Sequence, residues 1–301
     1  MRVLKRILTY YLMSSWQKPN KNWYFCNGLY TPCTMKNILQ IICLALLSAA
    51  CNTKKSEAIP TGVLKQRYLP VIKGSWVAKD YVDDIEKTKS PVASYTKLEG
   101  VAAIIITDKV KDDKIAARVS FNNHDAINLS VFAKKGRTSN SLTTNYVNTD
   151  TADKYDLEYT VTPTDTILTL RSYNRDGKEI TAKKFVRVNS NTVKDDAGSG
   201  IQFTVNKQVL YGTYIVEGTQ PPLTVTFKNN GSVTGFEDFD AYLVGTDFSF
   251  NDPDEILGSD YIYFEKKGDD NYFSYDFKIK ADTLILSQHG THYKLVKQHK
   301  Q

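Results

Sequence analysis

The chain has almost no cysteine. There are four in 301 residues, and Cys26, Cys33, Cys43 and Cys51 all lie within the first 51. The remainder therefore has no disulfide staple and no thiol nucleophile. Acidic residues are missing from the first 50 positions, which carry six basic ones: Arg2, Lys5, Arg6, Lys18, Lys21 and Lys36. The formal charge of +6 belongs to that segment, because residues 51–301 hold 33 basic against 33 acidic side chains. A balanced body lacks the surplus of cations that displaces phosphate counterions, so no nucleic-acid partner is expected. Long apolar runs are scarce as well. The stretch from Ile38 to Ala50, broken by Gln40, falls short of the roughly 20 residues that cross a bilayer. No long amphipathic helical pattern occurs, which excludes α/β folds. A hydrophobic fraction of 41% with 12% aromatic residues is enough to build a core, so the chain is not disordered.

The basic start resolves into a leader. Met35 and Lys36 precede the apolar stretch, and Ser48, Ala49 and Ala50 are small residues before Cys51. Residues 35–50 read as a secretory signal. Leu47-Ser48-Ala49-Ala50-Cys51 looks like a bacterial lipobox, with Leu47 one position further from the cysteine than usual. That resemblance implies cleavage before Cys51 and acylation of the thiol and of the new amino terminus with palmitate-class chains. Two or more acyl chains anchor a protein stably. Residues 1–34 are then an over-called extension; the alternative is a genuine extension with its own helix from Arg2 to Met13. Residues 51–60 form a polar tether. Lys54 and Lys55 stand where surface-exported lipoproteins carry acids, with only Glu57 nearby. The resemblance thus implies an outer-membrane lipoprotein of a diderm bacterium, facing the periplasm.

The exported part reads as strands. Short runs rich in Val, Ile, Thr, Tyr and Phe recur, as in Val101–Thr107, Ile115–Phe121, Ile167–Tyr173, Leu223–Phe227 and Phe273–Ile279. In Tyr155–Val161, apolar and polar residues alternate, the mark of a half-buried antiparallel strand. One helix-like piece, Asp83–Lys97, is interrupted by Pro91. The text also repeats. Gly74-Ser75-Trp76 opens one half and Gly212-Thr213-Tyr214 the other. Asp165-Thr166-Ile167-Leu168 returns as Asp282-Thr283-Leu284-Ile285. The expectation is all-β: two tandem small antiparallel barrels, residues 61–190 and 203–301, joined by a linker at 191–202.

Each half resembles the lipocalin-like (calycin) barrels of bacterial lipoproteins. The resemblance is carried by Gly74-x-Trp76, the helical insertion after it, and the Asp-Thr-hydrophobic strand near the end. In the second half Gly212 and Tyr214 take the motif positions. It implies an eight-stranded barrel with room for side chains or one small ligand, and Trp76 as a buried plug.

Site chemistry is sparse. His289 and His292 flank a turn and share one spacing suited to a metal, yet a polar turn explains them. Asp252 and Asp254 belong to an acid-dense loop without the EF-hand spacing, and a solvated loop explains those. No cofactor is expected, and no catalytic set stands out. The leading expectation is a non-catalytic module, anchored through Cys51, that binds a small apolar or amphiphilic ligand or an envelope partner. The alternative is a structural subunit with filled barrels and no ligand; an envelope hydrolase comes third. Tyr242, Tyr261, Tyr263, Tyr272 and Tyr275 form either a sticky face or, as favoured, the filling of the second barrel.

Overall fold

Alternating sequence becomes antiparallel sheet throughout. A computed structural model describes residues 58–123, 125–148, 151–188, 196–248, 258–268 and 271–299. Cys51, the leader, most of the tether and residues 191–195 of the linker lie outside these. Residues 55–301 form one compact unit that contains both sheets.

The first sheet runs β1 (Gly74–Ala78), β2 (Val101–Lys111), β3 (Lys114–Phe121), β4 (Asp125–Lys135), β5 (Ser141–Val147), β6 (Lys154–Val161), β7 (Thr166–Tyr173) and β8 (Glu179–Arg187). Each strand pairs with the next, and β8 returns to β1, so the barrel is closed. Trp76, Val119, Leu129, Leu157, Leu168 and Phe185 are among its buried residues. β5 was not among the expected strands. Its Ser141-Leu-Thr-Thr-Asn-Tyr-Val147 has the residue types but weak alternation.

The second sheet holds β9 (Gly212–Val216), β10 (Leu223–Phe227), β11 (Val233–Thr234), β12 (Phe239–Val244), β13 (Asp260–Lys266), β14 (Tyr272–Lys280), β15 (Thr283–Gln288) and β16 (Thr291–Lys297). Its order is β11-β10-β9-β16-β15-β14-β13-β12. A single bridge, Ser232 with Ala241, links the two ends, and the Tyr242 N–H donates to the Gly231 carbonyl at 2.7 Å. The sheet is therefore barrel-shaped, like the first. Its interior is aromatic. Phe227, Phe236, Phe239, Phe264 and Tyr275 are buried, and Phe239 stacks on Phe264 with centroids 5.0 Å apart.

Helices occupy three places. Before β1 come α1 (Thr61–Val63), a π turn (Leu64–Tyr68) and α2 (Leu69–Ile72). Leu64, Tyr68 and Ile72, four residues apart, are buried in one stripe. Between β1 and β2 come α3 (Lys79–Thr88), α4 (Pro91–Ser94) and a 3₁₀ turn (Tyr95–Leu98). The expected helical piece thus starts four residues early, and its expected interruption falls at Lys89 and Ser90, with Pro91 opening the next helix. Proline lacks the N–H that a first-turn residue has no use for, and the Ser90 hydroxyl caps this turn by accepting from the Ala93 N–H at 3.0 Å. Before β9 come α5 (Ser199–Val205) and a π turn (Asn206–Leu210). The expected linker, 191–202, therefore ends in helix.

The two sheets touch. Gly200 of α5 lies close under β1, where a Cβ would stand 2.7 Å from Ser75 Oγ. The Val92 N–H donates to Asp260 at 2.8 Å, and Asn123 Nδ2 donates to the Thr246 carbonyl at 2.7 Å.

Candidate functional site

The motif positions build the same device twice. Gly74 and Gly212 have φ of +135° and +144°, a region that side chains disfavour. The next residue but one points inward in each half. Trp76 is fully buried and Tyr214 nearly so. Trp76 Nε1–H donates to the Ile72 carbonyl at 2.9 Å, four residues back, and the Tyr214 hydroxyl donates to the Leu210 carbonyl at 2.9 Å, also four back. Each ring has a cation over it from the last strand. Arg187 lies 4.6 Å from the Trp76 ring and Lys297 lies 5.6 Å from the Tyr214 ring. The registers match, Trp76 opposite Arg187 and Tyr214 opposite Lys297. The Arg187 guanidinium also donates to the Val71 carbonyl, tying strand to helix. This end of each barrel is solid.

The other end of the first barrel is a cup of about 550 Å³. Its walls come from the ends of five strands: Val101 on β2, Phe121 on β3, Tyr146 on β5, Tyr155 on β6 and Lys183 on β8, with Leu170 of β7 deeper. Asp80, Thr96 and Lys97 of the helical insertion form part of the rim, with Glu99 beside them. Tyr146 and Tyr155 pack with centroids 4.7 Å apart, and burial pushes both phenols up. Lys183 falls on the face of β8 that carries buried Phe185, two residues on. Its ammonium donates to the Glu99 carbonyl at 2.6 Å. Burial lowers the Lys183 ammonium to about 8, against the pull of Asp80 and Glu99. An apolar wall, a half-buried cation and a rim of carboxylates and hydroxyls suit a ligand with an apolar body and a polar head. Among the described residues the lining contains no histidine or cysteine.

The other residues singled out from sequence do not gather there. Asp252 and Asp254 lie outside the described residues. His289 sits in the β15–β16 turn at φ +48°, and His292 Nδ1 is 2.9 Å from Ser287 Oγ. Among the described residues no group of three or more His, Cys, Asp or Glu is placed to hold a metal. The five tyrosines divide. Tyr242 and Tyr275 are buried, whereas Tyr261 and Tyr263 are half-buried and Tyr272 is 46% exposed. The expectation that all five fill the interior holds for two only, because Ile262 and Phe264 take the inward positions of β13. Sequence reading missed Lys183, Tyr146 and Arg187. Alternation with Phe185 was the available signal for both basic residues on β8. Comparison with protein-family models, with curated proteins and with solved structures found no match to this chain.

Proposed function

We propose that the protein is a lipid-anchored module of a bacterial envelope whose first barrel binds a small amphiphilic ligand, in the manner of lipocalin-like barrels. The cup of about 550 Å³ at the open end of that barrel carries the reading. It exceeds the roughly 300 Å³ at which ligand pockets begin. In this reading Tyr146, Tyr155, Phe121 and Leu170 hold the apolar body, and Lys183 meets the head. Cys51 supplies the membrane attachment, facing the periplasm. No helix among the described residues is long and apolar enough to cross a membrane. The division into barrels 61–190 and 203–301 with a linker at 191–202 belongs to the same reading.

For the second barrel a different observation favours the structural alternative. Its interior is occupied by packed rings, so it serves as scaffold for the first.

Native mass spectrometry of the intact chain after gentle purification tests the binding role. A bound small molecule is expected, and Leu170→Trp, which fills the cup, removes it. A chain that never carries an adduct and binds no fatty acid or lysophospholipid added to it overturns the reading. Cys51→Ser is expected to leave the membrane fraction or stay unprocessed.

A further inference from the structure

A second cavity, of about 400 Å³, lies between the two sheets. It is independent of the barrel cup and differs from it in chemistry. Asn123 comes from the β3–β4 turn, Asn206 from the π turn after α5, and Asn229 and Asn230 from the β10–β11 turn. Part of their hydrogen-bonding capacity is used inside the protein: Asn123 Nδ2 donates to Thr246, Asn206 bonds Gln202 and the Asn229 carbonyl, and Asn230 Oδ1 accepts from Ser232, so Asn123 Oδ1 and Asn230 Nδ2 remain for a ligand. Asp196 and Asp247 add carboxylates, and among the described residues no lysine or arginine lines the space.

That composition selects among ligands. An anion meets two carboxylates and, among the described residues, no cation, so phosphates and carboxylates are disfavoured. A bare metal ion lacks a ligand set, since no cluster of three metal-binding side chains occurs among the described residues. A polyhydroxylated neutral ligand fits, because each hydroxyl can donate to Asn123 Oδ1 or to a carboxylate and accept from Asn230 Nδ2. The cleft floor also has room. A Cβ built on Gly198 would come no nearer than 3.9 Å to Asn123 Oδ1 and 4.0 Å to Asp196 Oδ1, so two acceptor oxygens flank one open point.

The cleft has an apolar side, and that side continues outward. Phe203 and Leu243 line it. Leu243, 42% exposed, lies directly opposite Tyr263 on the outer face of the sheet. Tyr263 is in ring contact with Tyr261 at 5.3 Å and with Tyr272 at 6.2 Å between centroids. A strip of rings thus leaves the cleft along β13 and β14. Tyrosine offers an apolar face with a polar tip, which suits the C–H face of a sugar ring.

We propose that this cleft and its tyrosine strip bind a neutral saccharide chain. One or two residues sit in the cleft, hydrogen-bonded by Asn123 Oδ1 and Asn230 Nδ2. Further residues lie across Tyr263 and Tyr272.

Isothermal titration of the intact chain tests this with neutral glucose and N-acetylglucosamine oligomers, dimer to hexamer, and with oligogalacturonate as the acidic control. At least one neutral hexamer is expected to bind saturably, and its dimer about fivefold more weakly, the loss of one aromatic contact. Gly198→Val, which fills the floor, is expected to weaken both by about tenfold or more. Tyr263→Ala and Tyr272→Ala are expected to weaken the hexamer and leave the dimer unchanged. Circular dichroism and thermal midpoints confirm that each variant is folded. No saturable binding of any neutral oligomer up to about 10 mM overturns the proposal. So does equal binding of oligogalacturonate, or a folded Gly198→Val that binds as tightly as the parent. Loss of the barrel ligand leaves this result unaffected, so the two sites fail separately.

Discussion

Buried aromatic side chains in this molecule differ in what their polar atoms do, and that difference predicts how substitutions behave. Trp76 fills the solid end of the first barrel and bonds the Ile72 carbonyl. Trp76→Ala is expected to cost about 3–5 kcal/mol, the range for emptying a large aromatic site. It is the only tryptophan in residues 51–301, so its emission in the processed protein should be blue-shifted and move red on unfolding. Tyr214→Phe leaves the Leu210 carbonyl without its buried donor and is expected to cost about 1 kcal/mol. Tyr81→Phe should behave oppositely. The Tyr81 hydroxyl is fully buried with no hydrogen-bond partner among the described residues, so removing it is expected to be neutral or stabilising by up to about 1 kcal/mol. Denaturant titration of the three variants checks the ordering. A Tyr81→Phe as costly as Tyr214→Phe would show that the hydroxyl has a partner after all.

Among the elements, the first strand of each barrel depends on its opening glycine. At φ of +135° and +144°, Gly74 and Gly212 bend the chain from α2 into β1 and from the π turn after α5 into β9. Alanine at either position carries strain of about 1–3 kcal/mol. At Gly212 the new Cβ also meets Lys297 Cε at 2.7 Å, whereas at Gly74 the nearest atom is 3.8 Å away. The Lys297 chain end is flexible and swings aside, lifting its ammonium from the Tyr214 ring. Gly212→Ala is therefore expected to cost more than Gly74→Ala by about 0.5–1 kcal/mol, the worth of an exposed cation–π contact. Equal costs by thermal unfolding would mean that the Lys297 contact contributes nothing. The helices before these strands were hard to read in sequence for a physical reason. Each buries a stripe four residues apart, Leu64-Tyr68-Ile72 and Ile201-Val205-Val209. In the first, Pro70 argues against a helix; in the second, Gly198 and Gly200 argue for a linker. Packing against the barrels overrides both.

The whole molecule is rich in buried phenols, and this sets its response to alkali. Burial pushes Tyr81, Tyr214 and Tyr242 far up, and Tyr275 to about 12. In the unfolded chain these groups lose protons near pH 10, while in the folded protein they keep them, so stability falls as pH rises above about 10. Each group contributes a slope of up to about 1.4 kcal/mol per pH unit. Lys183 acts in the other direction. Its folded value, about 8, lies below its ordinary 10.5, so between those pH values the unfolded chain holds the proton and stability rises with pH. Urea midpoints from pH 7 to 11 should rise slightly past 8 and then fall past 10. Lys183→Met is expected to reduce the rise, leaving the part from Lys297, whose ammonium burial also lowers, and to keep the fall. A fall that begins below pH 9 would contradict the burial of the phenols.

Sequence alone determined the β class, the repeat and the residues that head each barrel. Alternation of side chains in Tyr155–Val161 and the doubled Gly-x-aromatic motif are local patterns, and local patterns survive in the text. The split of the five tyrosines was already implicit in alternation along β13 and β14. Which side faced inward required knowing that Ile262 and Phe264 had a barrel to fill. The cup and the cleft were decided only in three dimensions. Lys183, Glu99, Tyr146 and Tyr155 are separated by up to 84 positions in the chain and meet because β8 closes on β1. Asn123 and Asn229 meet because α5 packs across the outside of the first barrel. Closure and packing depend on contacts distant in sequence, and no window of neighbouring residues records those.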